Sequence, residues 1–389
     1  DEADPRVHLT QYNQPILFAV EYALAQLWMS WGILPSAVIG HSVGEVVAAV
    51  ICGVLSIEDG VRLITARGNL MGGLPSGGAM VAFFTSAPVV ESALVGYESS
   101  VSVAAINSPT ETVVSGEKNA VRVIMDHLEK QHGIQHRELA VSHAFHSPLM
   151  EPILADFVAI AKTLHYQEPT IPYISNITGQ FVEENTVSHA DYWVEHIRRG
   201  VHFAQGVQSL YDHSYRIFIE VGPRPILSAM GKRTINQDDA LWVASSRPPR
   251  SQHEQMLEAL AQLYVNGVSE IRWDVVSAGQ KIPLPTYAFE PHYYWWSDHA
   301  QPIQRATSSL TKALVDESPV LPVIQTATDS IADEQPQAVA HDHNDFIQHL
   351  SALDPEARRM FLSDFLRQQV ASVLGASVAI ITEHQRFFD

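Results

Sequence analysis

The 389-residue sequence holds a single cysteine, Cys52, so no disulfide can form within the chain. That fits a reducing compartment, and the expected location is the cytoplasm. Cys52 ends an apolar helical run, Ala48-Ala49-Val50-Ile51-Cys52, and reads as inert core rather than as a nucleophile. Long hydrophobic runs are lacking too. No stretch reaches the ~18–20 apolar residues of a membrane span, and Asp1-Glu2-Ala3-Asp4-Pro5-Arg6 lacks the apolar centre of a signal peptide. Positive charge is scarce: 24 Lys and Arg stand against 43 Asp and Glu, for a formal net charge of −19. Non-specific nucleic-acid binding draws its affinity from a basic face and is excluded. An anionic substrate is not, because one well-placed Arg can hold a carboxylate. The chain starts without Met and breaks off at Arg386-Phe387-Phe388-Asp389, so both ends read as cuts through a longer protein.

What is present is a 46% apolar chain, long enough for two or three domains with a sizeable core. Helical spacing of Ile16, Val20, Leu24 and Leu27 predicts a buried helix over 15–31, with Pro15 in its first turn. A turn at Gly32 and Pro35 leads to a short strand, Ala37-Val38-Ile39, then Gly40-His41-Ser42-Val43-Gly44-Glu45, then a helix through Cys52. From 77 to 143 the rhythm changes. Strands are expected at 79–85, 100–106, 111–115 and 135–141, with helices at 88–94 and 117–131. The β-α-β-β-α-β order is that of a ferredoxin-like unit inserted into the chain. Alternating helices and strands return over 145–275, with buried-strand runs at Tyr173-Ile174-Ser175 and Ile217-Phe218-Ile219-Glu220. Residues 276–298 are rich in Pro and aromatics, as in Pro283-Leu284-Pro285-Thr286-Tyr287 and Tyr293-Tyr294-Trp295-Trp296, and are expected to pack on something. Residues 299–343 have the composition of a flexible linker. An amphipathic helix is expected from Leu353 to Gly375. There is no internal repeat.

The segment around Ser42 carries a recognisable chemistry. A serine hydroxyl is a poor nucleophile unless a base takes its proton and donors meet the oxyanion. Gly40-x-Ser42-x-Gly44 between a strand and a helix gives the steric solution: a sharp turn that projects the Ser side chain and aims the Val43 N–H at the developing oxyanion. Read from these residues alone, Ser42 is either that nucleophile or the cap of an ordinary strand-to-helix turn. The base would be a His from elsewhere, and nineteen histidines leave the choice open. His341 and His343 beside Asp342 and Asp345 look like a metal cluster, but they stand in the linker and read as a solvated tract.

Several motifs in order resolve the choice: Gln14-Pro15, Gly40-His41-Ser42-Val43-Gly44-Glu45, Ala66-Arg67-Gly68-x-Leu70-Met71, Ser142-His143-Ala144-Phe145-His146-Ser147-Pro148-Leu149-Met150, Ser175-Asn176-x-Thr178-Gly179 and Glu220-Val221-Gly222-Pro223. With them, residues 9–297 resemble the malonyl- and acyl-transferase family of polyketide and fatty acid synthases, and most of all the acyltransferase domains of modular type I polyketide synthases. The resemblance implies an α/β fold: a hydrolase-like large subdomain over 1–76 and 144–275, and an inserted ferredoxin-like small subdomain over 77–143. A post-acyltransferase linker over 276–298, a flexible linker over 299–343 and the start of an acyl carrier domain over 344–389 would follow. It implies that Ser42 is acylated, that His146 is the general base, and that a backbone carbonyl at His196 orients that base. Arg67 would grip the free carboxylate of malonyl. His143 and Phe145, in the tetrad that ends in the base, would choose the acyl group, with Phe145 leaving little room for an α-methyl. The substrate would be malonyl-CoA, and the acceptor the phosphopantetheine thiol of an acyl carrier domain, beside a ketosynthase domain. No metal or redox cofactor is implied, and no nucleic-acid or membrane partner.

Two departures from the family stand out. The family opens on a Gly-Gln-Gly-x-Gln strand-loop whose backbone supplies a second oxyanion donor, and nothing of the kind precedes Asp1, so the expectation is an N-terminally truncated domain. Gly200-Val201-His202-Phe203 replaces the usual Pro-Val-Arg-Phe. A serine hydrolase or thioesterase shares the Ser42 motif and remains an alternative, to be marked by a carboxylate within reach of His146. A non-catalytic docking fragment of the synthase is another.

Overall fold

The computed structural model describes residues 4–276 and part of 353–364. The chain divides into two compact units, Asp1–Gly279 with Ser363–Asp389, and Gln280–Leu362. In the second, Ala357 and Arg358 are helical, and the Ala357 N–H donates to Asp354 Oδ1 at 3.0 Å. This turn stands near the head of the helix expected from Leu353. The aromatic segment beyond Val276, the linker 299–343 with its His341 cluster, and most of the expected carrier start lie outside the described residues.

In the first unit, helix α1 spans Thr10–Ser30, so it begins five residues before the start that the periodicity predicts and runs through Pro15. Pro15 is sixth in the helix and forfeits only the bond to the Gln11 carbonyl. Tight packing holds this first turn. A Cβ on Gly68 would sit 3.2 Å from the Thr10 carbonyl oxygen, so the helix carrying Gly68 approaches α1 backbone to side-chain root. Strand β1 (Val38–Ile39), helix α2 (Val43–Ile51) and helix α3 (Ile57–Gly72) follow. Cys52, just past α2, is fully buried, and burial pushes its thiol up to about 11, which leaves it protonated and inert.

The inserted unit comprises β2 (Gly78–Phe83), α4 (Ala87–Leu94), β3 (Val101–Ser108), β4 (Glu111–Glu117), α5 (Lys118–His132) and β5 (His136–Glu138). Its sheet order is β3-β4-β2-β5, with every neighbouring pair antiparallel. That is the ferredoxin-like arrangement. Val90, Ile124 and Leu128 of the two helices cover one face around Val81, Phe83 and Val114. The other face, at Met80, Ala104 and Val113, packs on Val201, Phe203 and Val207, which join it to the rest of the fold.

The chain then returns through α6 (Leu154–Ala161), β6 (Tyr173–Ile174), α7 (Ala190–Arg198), α8 (Phe203–Asp212), β7 (Ile217–Glu220), α9 (Leu227–Thr234), β8 (Leu241–Ala244), α10 (Gln252–Val265) and α11 (Trp273–Val276). Phe18, Val46, Leu63, Phe157 and Trp193 bring α1, α2, α3, α6 and α7 into one core. The whole is the mixed α/β fold expected: a hydrolase-like large subdomain with a ferredoxin-like small one. No described helix is long and apolar enough to cross a membrane.

Strand β1 pairs in parallel with β6, and β7 in parallel with β8. Among the described residues β1 and β7 each pair on one side only. Val38 and Ile39 from one, and Phe218 and Ile219 from the other, line a common cavity of about 570 Å³. The run Ile217–Glu220, expected as a buried strand, is therefore half-buried, with Ile217 39% exposed: its apolar residues face a gap instead of a neighbour.

Candidate active site

Ser42 stands between β1 and α2 with φ 52° and ψ −107°, a backbone conformation that costs a non-glycine residue about 1–3 kcal/mol. Gly40 makes the turn possible. A Cβ there would lie 2.2 Å from the Glu45 backbone nitrogen, so any other residue would push α2 away. The turn is held by Asn176, which accepts the Ser42 N–H at 2.8 Å through Oδ1 and donates to the Gly40 carbonyl at 2.7 Å through Nδ2. Ser42 makes no side-chain capping bond to α2. Its hydroxyl points elsewhere, which removes the simple helix-cap reading.

The Ser42 Oγ lies 2.8 Å from His146 Nε2 and accepts a hydrogen bond from Arg67 Nη2 at 2.9 Å. With the Arg67 N–H donating to it, the serine proton is free to point at His146. The other ring nitrogen, Nδ1, lies 2.7 Å from the backbone carbonyl of Arg199, the residue that caps the C-terminus of α7. A carbonyl only accepts, so Nδ1 carries the proton and Nε2 is left as the acceptor a base requires. This corrects the expectation that the orienting carbonyl belongs to His196. The peptide that reaches His146 comes three residues later, where the chain has left the helix and its C=O is no longer held in the helical ladder. The His196 ring instead stands edge-on to the His146 ring, 6.1 Å between centroids, with Nε2 3.0 Å from Glu45 Oε2.

His146 is buried and its backbone also adopts a positive φ, 55°. Ser102 of β3 donates to its carbonyl at 2.6 Å, so the small subdomain helps fix His146. Burial holds the imidazole well below its ordinary pKa of 6.5, and the positive charge of Arg67 pushes the same way, against the opposing bond to Arg199. The imidazole is thus neutral at physiological pH.

Arg67, on α3, is only 2% exposed. Nη1 donates to Gln14 Oε1 at 2.5 Å, Nη2 to Ser42, and Nε has no partner among the described residues. No described carboxylate pairs with it. Burial pulls its pKa down to about 10, with the Glu45 charge opposing, so it stays a cation at neutral pH. Gln14 is itself fixed, donating through Nε2 to Met71 Sδ at 3.3 Å.

His143 lies at the rim, with Nε2 3.0 Å from the Leu74 carbonyl and Nδ1 2.9 Å from Ser142 Oγ. Phe145 packs against both the large-subdomain core and the core beneath the small sheet, and its ring centroid is 6.2 Å from that of His143. Val43 opens α2, and its N–H takes no partner among the described residues. The structure therefore brings Ser42, His146, Arg67 and Val43 together, sets His143 and Phe145 in the strand of chain leading to the base, and places His196 behind it. Sequence reasoning missed the parts played by Asn176, Gln14 and Arg199. The first two stand inside quoted motifs, which was a usable signal. Arg199 acts through its backbone, which no side-chain pattern reveals.

Fold and site together point to acyl transfer. The chain belongs to the acyl transferase domain family, whose model matches residues 1–272. It is 43% identical over 296 residues to the polyketide synthase GfsB of Streptomyces halstedii, covering 74% of this chain and 5% of that protein. The acyltransferase domain from the second module of the salinomycin polyketide synthase superposes with a TM-score of 0.70 at 43% identity, over 74% of this chain and 68% of that one. The acyl transferase domain of SpnD, in complex with 2-(pent-4-yn-1-yl)malonyl, superposes with a TM-score of 0.62 at 32% identity, over 67% and 62%. The chain spans 4% of the polyketide synthase GfsA of Streptomyces halstedii and 18% of the PKS-NRPS hybrid synthetase ATPKS of Aspergillus niger, which it also matches.

Proposed function

We propose that this chain transfers malonyl from coenzyme A, through an ester on Ser42, to the phosphopantetheine thiol of an acyl carrier domain in a polyketide synthase. Ser42 Oγ attacks the thioester carbonyl while His146 Nε2 takes its proton, and the Val43 N–H meets the oxyanion. Collapse expels the coenzyme A sulfur, which takes the proton from His146 and leaves as the thiol. The carrier thiol then attacks the ester, giving its proton to His146, and that proton returns to Ser42 Oγ.

The observation that carries the malonyl reading is Arg67. A guanidinium buried beside the nucleophile, with no partner for Nε and no carboxylate partner among the described residues, is costly to bury unless an anion joins it. The free carboxylate of malonyl is that anion, and the planar fork suits it. SpnD, whose structure holds a malonyl derivative, supports the substrate class. Phe145, a large ring fixed between two cores, supports malonyl over an α-branched unit. A hydrolase reading is disfavoured by the carbonyl, not carboxylate, on His146 Nδ1.

The subdomain and linker boundaries given above, the carrier start at 344–389 and an adjacent ketosynthase belong to the same proposal. So does the cavity between β1 and β7, which has the place and apolar walls to take the family's Gly-Gln-Gly-x-Gln strand-loop with its second oxyanion donor. Arg67→Ala tests the reading. Malonyl transfer should fall by orders of magnitude and acetyl transfer far less, because acetyl has no carboxylate to pair. Equal losses for both would mean that Arg67 acts through folding.

A further inference from the structure

Among the buried acids that the acyl-transfer chemistry does not use, Glu45 stands nearest the nucleophile in sequence. Glu45, three residues after Ser42 in the first turn of α2, is 0% exposed. A carboxylate taken out of water is strongly destabilising unless other groups replace its hydration. Here four do. Oε1 accepts the Tyr173 hydroxyl at 2.9 Å, the Tyr192 hydroxyl, and the Asn176 backbone N–H at 3.0 Å. Oε2 lies 3.0 Å from His196 Nε2, as an ion-pair contact off the line of a straight hydrogen bond.

These partners do not stand at random. Asn176 is the residue whose side chain clamps both sides of the strained Ser42 turn. Tyr192 and His196 are one turn apart on the same face of α7, and α7 ends at the Arg199 carbonyl that orients His146. Their rings stack, with 6.4 Å between centroids, and His196 stands edge-on to His146. One carboxylate thus connects the helix that starts at the nucleophile, the clamp on the nucleophile's backbone, and the helix whose end aims the base. Tyr173 adds β6, which pairs with the strand leading into Ser42.

We infer that Glu45 is the positioning residue of this site: it fixes the separation and alignment of Ser42 and His146 by holding Asn176 and α7 against the start of α2. A purely apolar core would bury this space as well or better, since buried ion pairs add little net stability. What an apolar side chain lacks is directional acceptance of three donors, from Tyr173, Tyr192 and Asn176, with the His196 contact beside them. Alignment matters to acyl transfer because a displacement near 1 Å costs about 10²-fold in rate.

The inference rests on Ser42 and His146 acting as nucleophile and base, and the test separates the two. Glu45→Gln keeps the size and one acceptor oxygen but loses the charge and the second acceptor. It should remain folded, label at Ser42 with a fluorophosphonate probe at least ten-fold more slowly, and show a fallen kcat with KM for malonyl-CoA unchanged. The downfield proton resonance of His146 Nδ1–H should shift or broaden in the variant. If Glu45→Gln does not fold, Tyr192→Phe removes a single donor to the same oxygen and should give a several-fold fall in kcat with the same unchanged KM. Labelling at the wild-type rate in whichever of the two variants folds, or a rate loss that only matches the unfolded fraction, overturns the inference. If Ser42→Ala labels as fast as the wild type, the nucleophile assignment has failed instead.

Discussion

His146 Nδ1 lies 2.7 Å from the carbonyl oxygen of Arg199, and the opposite ring nitrogen lies 2.8 Å from Ser42 Oγ. A neutral carbonyl fixes the tautomer but gives less help to a forming imidazolium than a carboxylate would. With burial and the Arg67 charge already pushing His146 down, the base should stay unprotonated into mildly acidic solution. The acid limb of kcat/KM for acylation should therefore fall well below pH 6.5. Protonation disables the base, so activity is kept above that limb and lost below it. Arg67→Ala removes a positive charge, so with acetyl-CoA as substrate its limb should move to higher pH. A limb at or above 6.5 in the wild type, or no upward movement in the variant, would contradict this electrostatic picture.

Asn176 is the next point of leverage. Its side chain satisfies the Ser42 N–H and the Gly40 carbonyl, both at a strained turn. Asn176→Ala leaves both backbone groups without partners, at a cost of about 2 kcal/mol or more. Urea unfolding should show that loss, and Ser42 labelling should slow beyond it. Asn176→Ala with wild-type stability and labelling would mean that the turn is held by its glycines alone.

Phe145 should set the choice of acyl group. Phe145→Ser opens space beside the base, and the ratio of methylmalonyl to malonyl transfer should rise by about 10–200-fold, the range one methyl commands in an apolar pocket. Competition between the two coenzyme A esters measures the ratio directly. An unchanged ratio would place the selective contact elsewhere, with His143 the next residue to vary.

Glu21 gives a stability prediction away from the chemistry. It lines the cavity between β1 and β7, and burial and then the Glu220 charge raise its carboxyl from 4.5 to about 8. Glu220 is anchored by the N–H groups of Ile226, Leu227 and Ser228. A carboxyl whose pKa is higher folded than unfolded stabilises the fold below the unfolded value and loses that contribution as pH rises toward the folded one. Relative to Glu21→Gln, the wild type should lose stability between about pH 4.5 and 8 and run parallel above that. Unfolding midpoints that stay parallel across the whole range would show that Glu21 is not buried as described.

Much of this was legible in the sequence, for reasons that differ by residue. Gly40-His41-Ser42-Val43-Gly44 was readable because a sharp strand-to-helix turn demands small residues at fixed offsets. The insertion was readable because its strand and helix periods alternate cleanly. His146 and Arg67 needed the family resemblance, since neither spacing nor composition separates one histidine from nineteen or a buried arginine from a surface one. The half-exposed Ile217–Glu220 was misread because an apolar run looks the same whether a neighbour covers it or a cavity does. The orienting carbonyl was placed at His196 because a backbone donor or acceptor leaves no mark on side-chain identity. Glu45 stood in plain view within a motif, yet nothing in a one-dimensional pattern shows that two tyrosines, an amide and an imidazole converge on it.

The most direct measurement is intact-protein and peptide mass spectrometry after brief exposure to malonyl-CoA. A malonyl adduct should appear on the peptide containing Ser42, be absent in Ser42→Ala, and form far more slowly in His146→Ala. Undiminished malonylation in Ser42→Ala would contradict the assignment of Ser42 as the acyl carrier of this site.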